Sequence, residues 1–577
     1  MMGSSIPAVL RERASLQPND AAFTFIDYAP DGTPQPETLT WSQLYRRSAN
    51  VAAHLSICGE RGDRAVILAP QSLDYITAFI GSLMSGLIAV PLSVPSPGAH
   101  DERVTSVLRD TAPTVVLTTS AVAEDVARYA EATETKPKVI VLDTLEQSDN
   151  KVRRIRGDVN NEVAYLQYTS GSTREPAGVM VTNRNLSANF EQMYADYFAD
   201  SGKLPPPNTS VVSWLPFYHD MGLLLGVCVP ILGGLPSVVM SPLSFLERPA
   251  RWIELLGEHG RTLTAAPNFA FELAVKRTRD EDMAGVDLSD VLGVISGSER
   301  VHAATLHRFT EKFSKFGFPE KALRPSYGLA EATVYVATRA PGSAPQIVEF
   351  ESEKLSAGHA KRCTAAGGTP LVSYGTPESV TVRIVDPETN AECPAGRIGE
   401  IWVHGENVAA GYWQKPKETE RTFGGTLVDP SPEVPASGWL RTGDLGFVSD
   451  NELFIMGRIK DVLIVRGRNH YPEDIEATIS EITGGRVAAI AVTDEQSERL
   501  VAIIEVKKRG ETEDEVRAYF ETIKGDVTSA ISRVHGLAAS ELVLVAPGSI
   551  PITTSGKIRR STSQEMYRNN QFKRLDA

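Results

Sequence analysis

Short apolar runs rich in branched residues alternate along this chain with segments whose apolar residues return every three or four positions. Helical spacing first shows at Leu44, Ser48, Val51 and Leu55, behind Thr40 and Gln43. These two stand three apart, so that each side chain can satisfy a free backbone N–H of the other, as in a capping box. The apolar run 65–68 then predicts a strand, Ser72 a cap, and Ile76, Phe79, Ile80 and Leu83 the buried face of a second helix. Strands are expected next at 87–90, 115–118 and 139–142. These runs are apolar at successive residues instead of alternate ones, which suits strands covered on both faces. The predicted class is α/β: a large N-terminal domain of layered, mostly parallel sheets and helices.

The alternation continues through a strand at 211–214, a helix opening at Pro267 with Phe269, Phe271 and Leu273, and a strand at 291–295, almost to Asp461. Beyond it, 487–492 and 500–506 read as strands, and Val516, Phe520, Ile523, Val527 and Ile531 mark one helix face, predicting a small α+β C-terminal domain. Two uncharged stretches, 75–99 and 221–246, match the roughly 20 residues that cross a bilayer. Pro91, Pro95 and Pro97 interrupt the first, and Pro230, Gly233, Gly234 and Pro236 the second, so no transmembrane span is expected.

Charge and cysteine usage narrow the classes. With 58 basic and 72 acidic residues the net charge is −14, which offers no long-range attraction to phosphate backbones, so nucleic acid is not an expected partner. Cys58, Cys228, Cys363 and Cys393 are scattered, without the paired spacing of a zinc cage or the density of a disulfide framework. Residues 1–20 carry Arg11 and Arg13 behind a short apolar patch and do not read as a signal peptide. A cytoplasmic protein is expected, with peripheral attachment to the inner membrane left open.

The densest chemistry lies at 164–181, AYLQYTSGSTREPAGVMV, where a strand runs into Thr169, Ser170, Gly171, Ser172 and Thr173 and out into another strand. Hydroxyls and glycine backbone in such a loop can wrap phosphate oxygens. No Gly-Lys-Ser/Thr closes it, so it is not a Walker A loop. Six further blocks follow in order: SWLPFYHDMG at 213–222, SGSER at 296–300, SYGLAEAT at 326–333, GWLRTGDLGF at 438–447, GRIKDVLIVRGRNHYPEDIE at 457–476 and PITTSGKIRR at 551–560. Together the seven blocks resemble the adenylate-forming superfamily of acyl-CoA synthetases, luciferases and nonribosomal-peptide adenylation domains, over nearly the whole chain.

The resemblance implies activation of a carboxylate by ATP to an acyl-adenylate, with release of pyrophosphate. A carboxylate is already an anionic nucleophile at neutral pH, so the step needs alignment and cations more than a base. By the same resemblance, Lys557 bridges the α-phosphate and the substrate carboxylate, and Glu331 holds Mg²⁺. Asp444 and Arg458 take the ribose, Tyr327 packs on adenine, and Ser298 and Gly328 lie along the nucleotide with the Ser/Thr loop. His219 resembles a gatekeeper beside the carboxylate, with a structural histidine bonded to Asp220 as the competing reading. Met221 and Phe269 are placed in the substrate pocket, and Lys460 at a hinge dividing 1–459 from a mobile C-terminal domain, 460–577.

Two departures from the superfamily pattern bear on the branch. Where the loop commonly reads TSGTTGxPKG, Arg174 replaces the second glycine and Ala177 the lysine. A long segment, about 348–374, also separates Glu331 from the next family-like block. Both resemble the fatty-acyl-AMP ligases of mycobacterial type. There the insertion packs on the C-terminal domain, and a long-chain fatty acid is handed to an acyl carrier domain of a polyketide synthase instead of to coenzyme A. An ordinary fatty acyl-CoA ligase, and a non-catalytic nucleotide or lipid sensor with the same fold, stay open at this point.

Overall fold

The computed structural model describes residues 5–95, 101–146, 162–169, 176–363, 367–465, 468–494, 497–553 and 556–576. The capping box forms as the spacing requires: Thr40 and Gln43 bond each other's backbone at the start of the helix Trp41–Leu55. Ser72 likewise caps Leu73–Ser85, which ends at Gly86 in the left-handed conformation. Its buried face packs on Trp41–Leu55, where Gly81 lies against Val51.

Two large sheets build the first domain. One runs in the order Lys138–Val141, Val115–Thr118, Arg64–Leu68, Ile88–Leu92, Val163–Thr169 and Ala177–Thr182, parallel except for its last hairpin. The other has eight strands, with Leu323–Tyr327, Gly293–Ser296, Arg261–Ala266, Thr209–Ser213, Ser237–Met240 and Ala21–Tyr28 parallel at its centre. The strand expected at 291–295 begins two residues later: Val291 still closes a turn on Leu288, and Leu292 makes the first bond to the neighbouring strand, at Thr262. An antiparallel sheet follows, containing Gly399–His404, Ser437–Ser449 and Glu452–Arg458.

Of the stretch 75–99, the described residues to 95 form a helix, a turn and the strand Ile88–Leu92, and 221–246 forms short helical pieces around the π-helix Leu224–Cys228 and the strand Ser237–Met240. Among the described residues no helix is long and apolar enough to cross a membrane. A smaller domain packs the helices Pro472–Thr483 and Glu513–His535 on the strands Val487–Asp494, Ser497–Glu505 and Glu541–Val545. Val516, Phe520, Ile523, Val527 and Ile531, the predicted face, all turn to that core.

Parallel strands with covered faces leave their carboxyl ends as the place where loops can carry chemistry. Five of these ends point to one side: Thr169, Ser213, Ser296 and Tyr327 each lead directly into one of the sequence blocks, and Ala266 leads into the helix that carries Phe269. Beneath this edge lies an aromatic core, with Trp252 fully buried among Trp214, Phe271 and Phe309 and its indole N–H donating to Thr264 (3.0 Å). Phe269 meets Trp214 edge-on at 6.2 Å, so the cleft floor rests on rigid rings.

Candidate active site

The strand ends and the smaller domain enclose a cleft of ≈ 1920 Å³. Every described candidate from the sequence lines it: Thr169, His219, Met221, Phe269, Ser298, Tyr327, Gly328, Glu331, Asp444, Arg458, Lys460 and Lys557. Ser170, Gly171, Ser172 and Thr173 lie outside the described residues.

Lys557 arrives from the smaller domain on a tight turn. The Thr553 N–H donates to the Lys557 carbonyl (2.7 Å), the Lys557 N–H to Thr553 Oγ1 (3.1 Å), and Gly556 adopts φ +84° over the Phe269 ring. A side chain at Gly556 would have to hold that left-handed backbone against the ring. Burial and the neighbouring Arg458 push the Lys557 ammonium below its usual pKa, while Asp220, Glu299 and Asp444 draw it back up. The cleft therefore presents one partly desolvated ammonium to carboxylates of the larger domain.

His219 Nδ1 stands 2.6 Å from Asp220 Oδ1, so the structural partner and the cleft position hold together. Burial alone raises a carboxyl pKa; at Asp220 the opposing pull of His219, Lys557 and the Met221 N–H prevails, and it is lowered. The loop that carries His219 is pinned by Gln167, which donates to the Tyr218 carbonyl (2.8 Å), and by Gln71, which accepts the Phe217 N–H (3.1 Å).

The ribose candidates meet across paired strands, Asp444 opposite Arg458. Arg458 Nε lies 3.3 Å from Asp444 Oδ1, and the Tyr327 hydroxyl donates to Asp444 Oδ2 at 2.8 Å. Each carboxylate oxygen keeps a further lone pair for a ligand hydroxyl. The turn before Asp444 is set by Glu400, which accepts from Arg441 (3.0 Å) and from the Gly443 N–H (3.0 Å). Tyr327 is 7% exposed and meets Tyr374 edge-on, so its ring borders the cleft as a wall. Gly328 next to it leaves no room for a side chain, since a Cβ would fall 1.5 Å from the Val334 carbonyl oxygen.

Glu331 Oε1 accepts the Tyr412 hydroxyl (2.8 Å), leaving its other oxygen for a ligand. Ser298 holds φ +71°, a backbone state rare for a residue with a side chain. Glu299 beside it accepts the Phe269 N–H (3.4 Å); burial raises its carboxyl pKa, partly offset by Lys557. Arg300 crosses between domains, pairing with Asp474 at 2.8 Å and donating to the Met456 carbonyl (3.1 Å).

Glu299, Arg300, Glu400 and Tyr412 were not singled out from the sequence. The first two stand inside a quoted block, and their charges in a buried strand-end motif were an available signal. Tyr412 and Glu400 carried none, because they are distant in sequence from the residues they hold.

Family comparison matches residues 10–413 to the AMP-binding enzyme model and residues 460–576 to the AMP domain of the Disco-interacting protein 2-like type. The chain belongs to the AMP-binding enzyme family. Within it, the chain is 58% identical over 580 residues to long-chain-fatty-acid–AMP ligase FadD28 of Mycobacterium bovis, covering 100% of both chains. FadD25 of Mycobacterium tuberculosis, which carries the provisional name of a fatty-acid–CoA ligase, is 59% identical over 100% of this chain and 99% of its own. A fatty acyl-adenylate ligase from L. pneumophila, solved with acyl adenylate and pyrophosphate, superposes with a TM-score of 0.75 at 34% identity, covering 98% of this chain and 96% of that one.

The family's nucleotide chemistry focuses attention on Asp444. Asp444→Asn keeps the shape but removes the charge that holds Arg458, and is expected to raise KM for ATP about tenfold, the worth of one charge-assisted hydrogen bond. Pyrophosphate exchange kinetics at varied ATP and varied fatty acid check it: KM for the acid stays within twofold.

Proposed function

We propose that this protein activates a long-chain fatty acid with ATP, forming acyl-AMP and pyrophosphate, and passes the acyl group to the acyl carrier domain of a polyketide synthase. The observation that carries the adenylation reading is Lys557 in the cleft, its charge acting on Asp220 and Glu299 while Asp444 and Arg458 stand across from it. In this reading a carboxylate oxygen attacks the α-phosphorus, the bond from that phosphorus to the bridging oxygen breaks, and pyrophosphate leaves. Lys557 sits between the two anions and lowers the cost of bringing them together. Asp444 and Arg458 hold the ribose, Tyr327 and Ser298 bound the adenine, and the Ser/Thr loop takes the phosphates.

Glu331 fits a magnesium site, since that cation usually takes one or two carboxylates from protein and its other ligands from phosphate and water. Bound there, Mg²⁺ would neutralise phosphate charge.

The acyl chain is assigned to the apolar side of the cleft at Met193, Tyr197, Leu225 and Ile295, where an adjoining apolar cavity of ≈ 40 Å³ would have to widen to admit a long tail. Leu225 lies on the π-helix Leu224–Cys228, a local irregularity common where helices border ligands. Met221 and Phe269 stand in the main cleft before this pocket and would line its approach.

The insertion bears on the transfer step. Phe350, Leu355 and Leu371 bury themselves with Phe447, Phe454 and Met456, and with Tyr471 at the start of the smaller domain's first helix. A hinge at Lys460 must break these contacts for the smaller domain to swing, which disfavours the pose that coenzyme A ligation requires. The provisional name of FadD25 supports the second reading, a fatty acyl-CoA ligase.

A product assay with labelled fatty acid, ATP and Mg²⁺, with and without coenzyme A and resolved by mass, separates them. Acyl-AMP that coenzyme A does not consume is the expected result, and acyl-CoA as the main product would overturn it. In a chain lacking 355–368, acyl-CoA is expected to appear while adenylation persists.

A further inference from the structure

The strand Ala177–Thr182 leaves the Ser/Thr loop and is paired, outside the main sheets, with the segment 411–413: the Met180 N–H donates to the Gly411 carbonyl (2.8 Å) and the Trp413 N–H to the Gly178 carbonyl (2.7 Å). The helix Pro416–Phe423 follows at once and is tied back to this segment, where the Tyr412 N–H donates to Thr419 Oγ1 (2.9 Å). Tyr412 in turn holds Glu331 through its hydroxyl, and its ring meets Phe423 edge-on at 5.2 Å. The chain therefore fixes this short helix beside the closing edge of the loop and beside the candidate magnesium carboxylate.

Arg421, on that helix, lines the cleft together with Ala177, Thr169, Glu331 and Thr422. Its side chain is exposed and makes no ion pair with any described residue. By contrast Arg458, Arg300, Arg441 and Arg560, which also line the cleft, are each committed to carboxylates. Thr419 and Phe423, two residues to either side of Arg421, both contact Tyr412, so this turn of the helix is held against the residue that bonds Glu331.

We propose that Arg421 binds the β- and γ-phosphates of ATP, and the pyrophosphate that leaves, supplying at the closing edge of the loop the cation that Ala177 does not. The inference rests on the adenylation reading given above. A guanidinium suits the task, because it stays charged and offers paired N–H donors that match two phosphate oxygens. The bland alternative is a solvated arginine on a polar helix; it predicts no effect on phosphate affinity.

ATP–pyrophosphate exchange by the full chain, with pyrophosphate as the probe, decides between them. Arg421→Ala is expected to raise KM for pyrophosphate and for ATP about tenfold, with KM for the fatty acid unchanged and the affinity for AMP, which lacks the two phosphates, unchanged. Arg421→Lys should recover part of the loss, since charge is kept and the paired donors are not. Adding Ala177→Lys to Arg421→Ala should restore KM for pyrophosphate to within about threefold of the parent, because both positions line the cleft and one cation replaces another there.

The inference is overturned by a pyrophosphate KM within twofold of the parent in Arg421→Ala, by an equal loss of AMP affinity, or by failure of Lys at position 177 to recover any of the deficit. A parent chain that supports no exchange with any fatty acid would sink the adenylation reading and this inference together. A working parent with an unaffected variant sinks this inference alone.

Discussion

Lys557→Ala is expected to lower ATP–pyrophosphate exchange by about a hundredfold or more, the scale seen when one preorganised charge donor is removed from a transition state. The reason lies in where the ammonium sits. It is partly desolvated, so its attraction to the carboxylate and the α-phosphate is little screened, and the turn at Gly556 holds it there before the substrate binds. Its charge is needed during bond formation more than for binding, so kcat should fall while KM for ATP changes by less than about threefold. The fold should be indifferent, because Lys557 is only half buried and makes no ion pair with a described residue. Equal losses in kcat and in thermal stability would show that the side chain is structural.

The second large effect is one of stability. Arg560, three residues beyond Lys557, pairs with Asp461 (3.0 Å), Glu473 (2.9 Å) and Glu476 (2.7 Å), tying the segment after the proposed hinge, the helix Pro472–Thr483 and the Lys557 turn to one guanidinium. Burial raises the Glu476 carboxyl pKa and Arg560 opposes it. Arg560→Ala leaves these carboxylates uncompensated in a partly buried place, which costs about 3–5 kcal/mol.

All six tryptophans lie before this domain, so amide hydrogen exchange in Val487–Asp494 and Glu541–Val545 is the suitable readout, not tryptophan fluorescence. The sign of the pH dependence follows from linkage. A carboxyl whose folded pKa lies above its unfolded value binds more protons when folded, so the deficit should shrink as pH falls toward 4.5, the ordinary value of a glutamate such as Glu476. A deficit that grows on acidification would point to other groups.

How far the sequence carries the site differs from residue to residue. Lys557, Glu331, Asp444 and Arg458 were nominated through the ordered family-like blocks in which they stand, since each alone reads as an ordinary turn or surface charge. The cap at Ser72 and the box at Thr40 and Gln43 were legible because their partners lie within three residues. Glu400 and Tyr412 were not, because each acts on a residue at least 41 positions away, and local spacing carries no record of such a pairing. The strand shift at 291–295 has a similar cause: an apolar residue in a buried turn looks the same as one in a strand.

The sequence by itself determined the α/β class, the order of helices and strands, and the chemistry available at each strand end, since these rest on periodicity, capping and short blocks. Only the tertiary structure decided that five strand ends face one cleft, that Lys557 crosses from the smaller domain to reach it, and that the helix carrying Arg421 is tied through Tyr412 to Glu331. It also decided what the insertion touches, placing Leu355 in one core with Phe447 of the larger domain and Tyr471 of the smaller. The physical reason is that helices and caps are set by bonds between near neighbours, whereas a charged cleft is set by which distant surfaces the chain can bury together.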